Sequence, residues 1–409
     1  MKLNRLVIDN FRALKHAELG FADGLGNIRP MTVLAGPNGC GKTSVIFAIV
    51  QTLRGVMGYN TADVPEPSDL DIYRTGAMGL SRAPRSATVE MSLRFDESEL
   101  TAIARIFEET VDDAEKSSSL PQPDEETALR GRPSPRETAA QLRSLAGSGG
   151  QVDVTWVYPP GSFQDGTRRP PNYLRNCNPR SALYAFRGRG LAIRGWRSHR
   201  LADPKLLDQI GGIYLFPQDR NLRTRVTGNG AEERRFGQLD GEYDPEERKR
   251  SEPIPIWGIL QYLSSYTRAR REVLPDEENW EKRIQTQFNR ICSPKEYQGF
   301  MYEADDPNGA PYLKDGDTYY PLQMAASGEQ VIIEYITRLT YPSPLNHSLI
   351  LIDEPEVHLH PSWVRQLYRA LPQIGEDNQY IVTTHSLELR RLAAEDGNLL
   401  DMGELEDAQ

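Results

Sequence analysis

The chain has 409 residues and a formal charge of -10, from 48 Lys and Arg against 58 Asp and Glu. Its length supports a large core and two or three modules, while the acid excess excludes a surface that is basic all over, so any nucleic-acid contact must come from a local patch. Apolar runs such as 32–35 and 348–352 are far too short to cross a bilayer, and the dispersed Cys40, Cys177 and Cys292 argue against a disulfide framework or zinc site and for a reducing, cytoplasmic setting.

In chain order, residues 1–9 alternate like a strand and lack the continuous apolar core of a signal peptide. The run Met31-Thr32-Val33-Leu34-Ala35 then enters Gly36-Pro37-Asn38-Gly39-Cys40-Gly41-Lys42-Thr43-Ser44, which leaves through Val45-Ile46-Phe47-Ala48-Ile49-Val50. This is a phosphate-binding loop between a strand and a helix. Glycines let backbone N–H groups curl around an anion at a helix N-terminus, where partial positive charge collects. Asn38, Gly39, Gly41, Lys42, Thr43 and Ser44 are the candidate contacts: Lys42 for the β- and γ-phosphates of ATP, the Thr43 hydroxyl for Mg²⁺.

Residues 87–95 alternate like an antiparallel strand. Two polar helical stretches, 101–116 and 135–145, flank a Ser- and Pro-rich elbow and read as an exposed insertion. A strand resumes at 152–158. Between Arg168 and Arg200 lie nine arginines and no acid, interleaved with Tyr173, Tyr184, Phe186 and Trp196. Arginine fixes phosphates and aromatics stack on bases, so nucleic acid is one candidate partner. An acidic protein surface is another, and a solvated loop is the plain alternative. Residues 212–220 form a strand leading to polar residues. From 232 to 299 the chain is charged and helical, with Trp257, Ile259, Leu260, Tyr262 and Leu263 on one face, and no sustained heptad predicts a long coiled coil.

Ser327-Gly328-Glu329 opens a helix that carries Val331, Ile332, Tyr335, Ile336 and Leu339 at helical spacing. Its start offers a second anion site, or only an N-cap with an acid in the first turn. The apolar run Leu349-Ile350-Leu351-Ile352 ends in Asp353-Glu354. A buried parallel strand reads as such a run, and ligands bind at the C-terminal ends of parallel strands. Asp353 is the candidate metal holder and Glu354 the candidate base for the attacking water. A last β-rich run, 379–384, ends at His385, which a strand beside the Asp-Glu strand would bring near the γ-phosphate.

The order phosphate loop, S-G-E helix, D-E-P-E-x-H-L-H-P and T-T-H-S resembles the ATP-binding-cassette (ABC) type ATPases of the SMC, RecF and OLD (overcoming lysogenization defect) group, as does the opening Leu6-Val7-Ile8-Asp9-Asn10-Phe11-Arg12. The motifs cover roughly the first and last hundred residues. The resemblance implies an α/β, ABC-type P-loop ATPase head, a mixed β-sheet with flanking helices and a helical insertion. Its parts would be 1–100 with the phosphate loop, 101–150 a helical insertion, 151–225 sheet and basic segment, 226–310 a second helical insertion, and 311–409 the remaining motifs. It adds Arg12 to the nucleotide contacts and Gln218, otherwise a plain turn residue, to the metal site.

The resemblance also implies two heads joined head to tail around two ATP molecules, each phosphate loop facing Ser327, Gly328 and Glu329 of the other. In the usual L-S-x-G-[EQ] signature the first serine meets the γ-phosphate; Ala326 stands there in this chain. The expected function is ATP hydrolysis gating a separate effector, a nuclease or toxin, in bacterial anti-phage defence, since the chain stops too soon after His385 to hold the nuclease domain of full-length OLD proteins. The alternative is a RecF-like DNA-binding clamp in repair.

Overall fold

The apolar runs at both ends of the chain meet in one parallel sheet. The computed structural model describes residues 1–57, 86–116, 134–161, 172–186, 188, 204–216, 260, 279–303, 306–340 and 345–403. Strands β3 (Met31–Ala35), β7 (Ile213–Phe216), β11 (Leu349–Asp353), β12 (Gln379–Thr384) and β13 (Leu399–Asp401) lie side by side in the order β13-β3-β12-β11-β7. Every residue of β3, β11 and β12 is buried, which is why these strands read as unbroken apolar runs rather than as alternation. The register pairs Ala35 with Thr384 and Thr383 with Asp353, so the three strands end level with one another.

A second sheet is antiparallel, in the order β2-β1-β4-β5-β6, from β1 (Lys2–Phe11), β2 (Leu14–Gly20), β4 (Ala87–Arg94), β5 (Gln151–Gly161) and β6 (Asn172–Asn178). Between the two sheets runs helix α1 (Lys42–Met57), in contact with β1, β4, β5 and β6 on one side and β11 and β12 on the other. A helix with sheets on both sides must be apolar nearly all round. Val45, Ile46, Ala48, Ile49, Val50 and Leu53 are accordingly all buried, and the buried Thr52 hydroxyl bonds to the Ala48 carbonyl.

Within the 101–150 stretch, the described parts of both helices are packed rather than exposed. Helices α2 (Glu97–Lys116) and α3 (Pro135–Gly147) pack on each other, and Leu100, Ile103, Ile106, Ala139, Leu142 and Leu145 belong to the same core as the antiparallel sheet. Polar residues occupy the outer faces of both helices and hide that packing in a plain composition count. A capping box at Ser134 and Glu137 and the proline at the first helical position start α3. The short helix α4 (Ala182–Ala185) follows β6.

Of the 226–310 stretch, the described residues are 260, 279–303 and 306–310. Only α5 (Trp280–Cys292) is helical in its described C-terminal part, and it is followed by a three-stranded antiparallel sheet of β8 (Glu296–Glu303), β9 (Asp306–Asp315) and β10 (Thr318–Pro321). Gly316 and Asp317 make the two-residue turn between β9 and β10, with Gly316 at φ 59°. Helices α6 (Ser327–Thr340), α7 (Pro361–Ala370) and α8 (Leu387–Glu395) complete the second core, on the far face of the parallel sheet from α1. Of the expected apolar face at 257–263, Leu260 is described and is buried in this core; the rest lies outside the described residues.

Candidate nucleotide site

Three strand ends supply the site. From β3 the chain turns through Gly36–Gly41 into α1; Gly39 and Gly41 have φ of 85° and 96°, which glycine adopts without cost. A Cβ on Gly41 would sit 2.4 Å from Leu14 Cδ2, so that position has no room for a larger residue either. Asn38 and Gly39 lie exposed on the loop, and Ser44 is buried in the first turn of α1. Lys42 is 4 % exposed and its Nζ donates to the carbonyls of Gly36 and Pro37, each at 2.9 Å. Arg12, at φ 53° in the turn after β1, lays its guanidinium 4.4 Å from the ring centre of Phe47, one turn of α1 beyond Thr43.

The Thr43 hydroxyl donates to Asp353 Oδ1 at 3.1 Å, joining the phosphate loop to the end of β11 across 310 residues of sequence. Thr383 Oγ1 donates to the same oxygen and accepts from the Glu354 amide at 3.1 Å. The Thr43 hydroxyl and the Asp353 carboxylate are hard oxygen donors and fit Mg²⁺. Glu354 stands at φ 49°, a conformation rare outside glycine and costing on the order of 1 kcal/mol, held by its amide bonds to Thr383.

His385 extends from the end of β12, and its Nε2 lies 3.2 Å from Glu354 Oε1. The Glu354 side chain is 13 % exposed. Burial raises its pKa above the ordinary carboxylate value; His385 and Lys42 pull it down, while Asp353 and Glu356 push it further up. A partly buried carboxylate with raised proton affinity is a stronger base at neutral pH than a solvated one.

The signature segment is built differently. Ala326 and Ser327 are exposed where α6 begins, but Gly328 is buried, and a Cβ there would lie 2.7 Å from the His358 carbonyl oxygen. Glu329 does not present its carboxylate to a ligand: it is 1 % exposed, accepts from the Ala326 amide at 2.7 Å and from the Tyr320 hydroxyl at 3.0 Å, and pairs with Lys295. Within this chain Glu329 thus serves as an internal anchor of the helix start. His360 accepts from the Ser362 amide as N-cap of α7, ahead of Pro361, which gives the H-L-H-P stretch a local structural role.

Gln218 lies outside the described residues. So does most of the arginine-rich segment; Arg175 and Arg180 are exposed. One of its four aromatics, Phe186, is not available to stack on bases, being buried edge-on against Phe95 with ring centres 5.1 Å apart, while the half-buried Tyr184 lies edge-on to Phe107 at 6.0 Å. Thr383 and Glu356 are the site residues that the sequence reading did not assign correctly. Both belong to quoted motifs, T-T-H-S and D-E-P-E, and only strand pairing reveals which atoms they hold.

Phosphate loop, paired acids and histidine at the level ends of adjacent parallel strands make up a nucleotide site of the P-loop, AAA-domain kind. More particularly, the chain belongs to the family described as "AAA domain, putative AbiEii toxin, Type IV TA system", which matches residues 31–391. No curated protein matches it in sequence. Similar solved structures include an SMC head bound to the C-terminal winged-helix domain of ScpA (14 % identity, 95 % of this chain and 91 % of that one, TM-score 0.46). An SMC head with extended coiled coil bound to the C-terminal domain of ScpA, from Pyrococcus furiosus, has 14 % identity over 98 % and 93 % at TM-score 0.43. The Thermotoga maritima SMC head has 14 % identity over 96 % and 92 % at TM-score 0.38. Among the described residues no helix is long and apolar enough to cross a membrane.

Proposed function

We propose that this chain hydrolyses ATP to ADP and phosphate, and that its nucleotide state gates a separate effector, a nuclease or toxin, in bacterial anti-phage defence. The carrying observation is the convergence of Lys42 and Thr43 from α1, Asp353 and Glu354 from β11 and His385 from β12. Lys42 exchanges the Gly36 and Pro37 carbonyls for the β- and γ-phosphates, and the loop amides hold the remaining phosphate oxygens. Glu354 takes the proton of the attacking water, and His385, 3.2 Å away, donates to the γ-phosphate and holds Glu354 in place. Thr43 and Asp353 would hold Mg²⁺, which neutralises phosphate charge when bound.

The exposed Ala326 and Ser327 leave the start of α6 accessible to a second protomer, which supports a nucleotide-sandwiched pair. Membership of a family described by a toxin–antitoxin system supports an effector-gating role, and the inward-turned Phe186 favours a protein effector over a DNA clamp. Glu354→Gln tests the reading: turnover should fall about 10²–10⁴-fold with ATP still bound, and light scattering with ATP should show a larger, persistent assembly. Normal turnover in that variant overturns the role of Glu354, and no change in size overturns the sandwich.

A further inference from the structure

Beyond β12, the amides of His385 and Ser386 lie past the last residue of the strand and both donate to one side chain, Glu356, the Ser386 amide being shared with the Thr384 hydroxyl at 2.9 Å. Its Oε1 accepts from the His385 amide at 2.7 Å, the Ser386 amide at 3.0 Å and the Thr384 hydroxyl at 2.7 Å. A carboxylate taking three hydrogen bonds is a strong local fixture, because charge-assisted bonds are roughly twice as strong as neutral ones. Its other oxygen, Oε2, is buried without a hydrogen-bond partner among the described residues.

The neighbouring geometry turns this fixture into a positioning device. Pro355 separates Glu356 from Glu354, while Ser386 caps α8 by accepting from the Leu389 amide. The three residues Thr384–Ser386 are thus tied to the turn after β11 on one side and to α8 on the other. The His385 imidazole is aimed from this tied backbone at Glu354 Oε1.

We propose that Glu356 is a positioning residue for ATP hydrolysis: it sets the distance between His385 and Glu354 through the His385 and Ser386 amides, without itself touching the substrate. The proposal rests on the hydrolytic reading of the site. Glu356→Ala should lower kcat about 10–100-fold, the range seen when a supporting hydrogen-bond partner is removed, with the KM for ATP changed less than about 3-fold. Glu356→Gln keeps a carbonyl acceptor but loses the charge, so its kcat should fall less than that of Glu356→Ala, a graded rescue that a merely structural role would not give.

Combining Glu356→Ala with His385→Ala should cost no more than the slower single change, because the two act as one unit. Multiplied losses, or a Glu356→Gln variant as slow as Glu356→Ala, would overturn the proposal. Where Glu356→Ala does not fold, the Gln variant carries the kinetic test alone. Amide hydrogen exchange at His385 and Ser386, read by NMR without nucleotide, separates the two layers. Exchange accelerated about tenfold or more in Glu356→Gln, in a protein whose parent does not hydrolyse ATP, refutes the hydrolytic reading and with it the kinetic role. Unchanged exchange refutes Glu356 as the fixture even where hydrolysis is normal.

Discussion

The two ends of the parallel sheet use similar residue types for opposite purposes. At the end where β3, β11 and β12 finish, Lys42, Thr43, Asp353, Glu354 and His385 bond to one another or to loop carbonyls, arrangements that an incoming phosphate can replace. At the end where β11 and β12 begin, polar side chains are locked to backbone. Gln379 is fully buried and bridges the two large sheets, accepting from the Leu3 amide at 2.6 Å and donating to the Leu3 carbonyl at 2.8 Å. Asn378 donates to the Ile374 carbonyl at 3.0 Å and accepts from the Ser348 amide at 3.0 Å, and the Gly211 amide donates to Glu99 at 2.9 Å. Gln379 and Asn378 are buried with both ends of their amides matched inside the fold, so burial of a polar residue alone does not mark a functional site.

The largest effect that sharpens this contrast is expected at Lys42. Lys42→Ala should weaken ATP binding at least about 100-fold, the loss of one charge-assisted phosphate contact of about 3 kcal/mol, measured by calorimetric titration. Unchanged binding would break the assignment of the exchangeable end. At the locked end, Gln379→Ala strands the amide and carbonyl of Leu3 between the sheets and should lower unfolding free energy by about 2–4 kcal/mol, with ATP affinity of the folded protein unaltered. Denaturant unfolding with and without ATP separates the two quantities.

Thr383→Val should have an intermediate effect, slowing turnover about 10-fold, or about 1.4 kcal/mol, because Asp353 loses a donor and the Glu354 amide loses an acceptor. The smallest effect concerns His347, at the start of β11. Its pKa is raised chiefly by Asp96, with Glu99 and Asp377 assisting and burial and the Met1 amine opposing. A raised folded-state pKa means that the imidazolium stabilises the fold fully below the unfolded value of about 6.5 and that this stability is lost as pH rises through the folded value. Wild type should therefore gain on the order of 0.5–1 kcal/mol between mildly alkaline and mildly acidic pH, and His347→Gln should flatten that gain. Asp96 is held well below the usual carboxylate range, mainly by His347, so its own contribution fails only in strong acid. An equally steep profile in the variant would move the pH dependence elsewhere.

The exchangeable end was readable from sequence because its chemistry is local: a glycine loop must precede its helix, and Asp353 and Glu354 must end their strand. Non-local pairings were not readable. Nothing in the spacing connects Glu329 to Lys295, or Glu356 to the amides of His385 and Ser386. Helices α2 and α3 were misjudged for a different reason, since Leu100, Ile103 and Ile106 recur at helical intervals and form a buried stripe beneath many charged neighbours. The β9–β10 hairpin carried a usable sign in Asp315-Gly316 between Tyr312-Leu313 and Tyr319-Tyr320, a pattern that favours a tight turn. Around the arginines, Phe186 looked accessible only because a basic neighbourhood says nothing about which way an aromatic ring points.

The hold of Lys42 on the Gly36 and Pro37 carbonyls makes the loop its own competitor. Any anion must outbid two oxygens already in place, so a ligand offering a single weak charge gains little from displacing them. A triphosphate, with several charged oxygens in reach of one ammonium and the surrounding amides, gains much more. In the proposed role, selectivity for highly charged nucleotides would thus begin as a threshold set by the loop's own backbone.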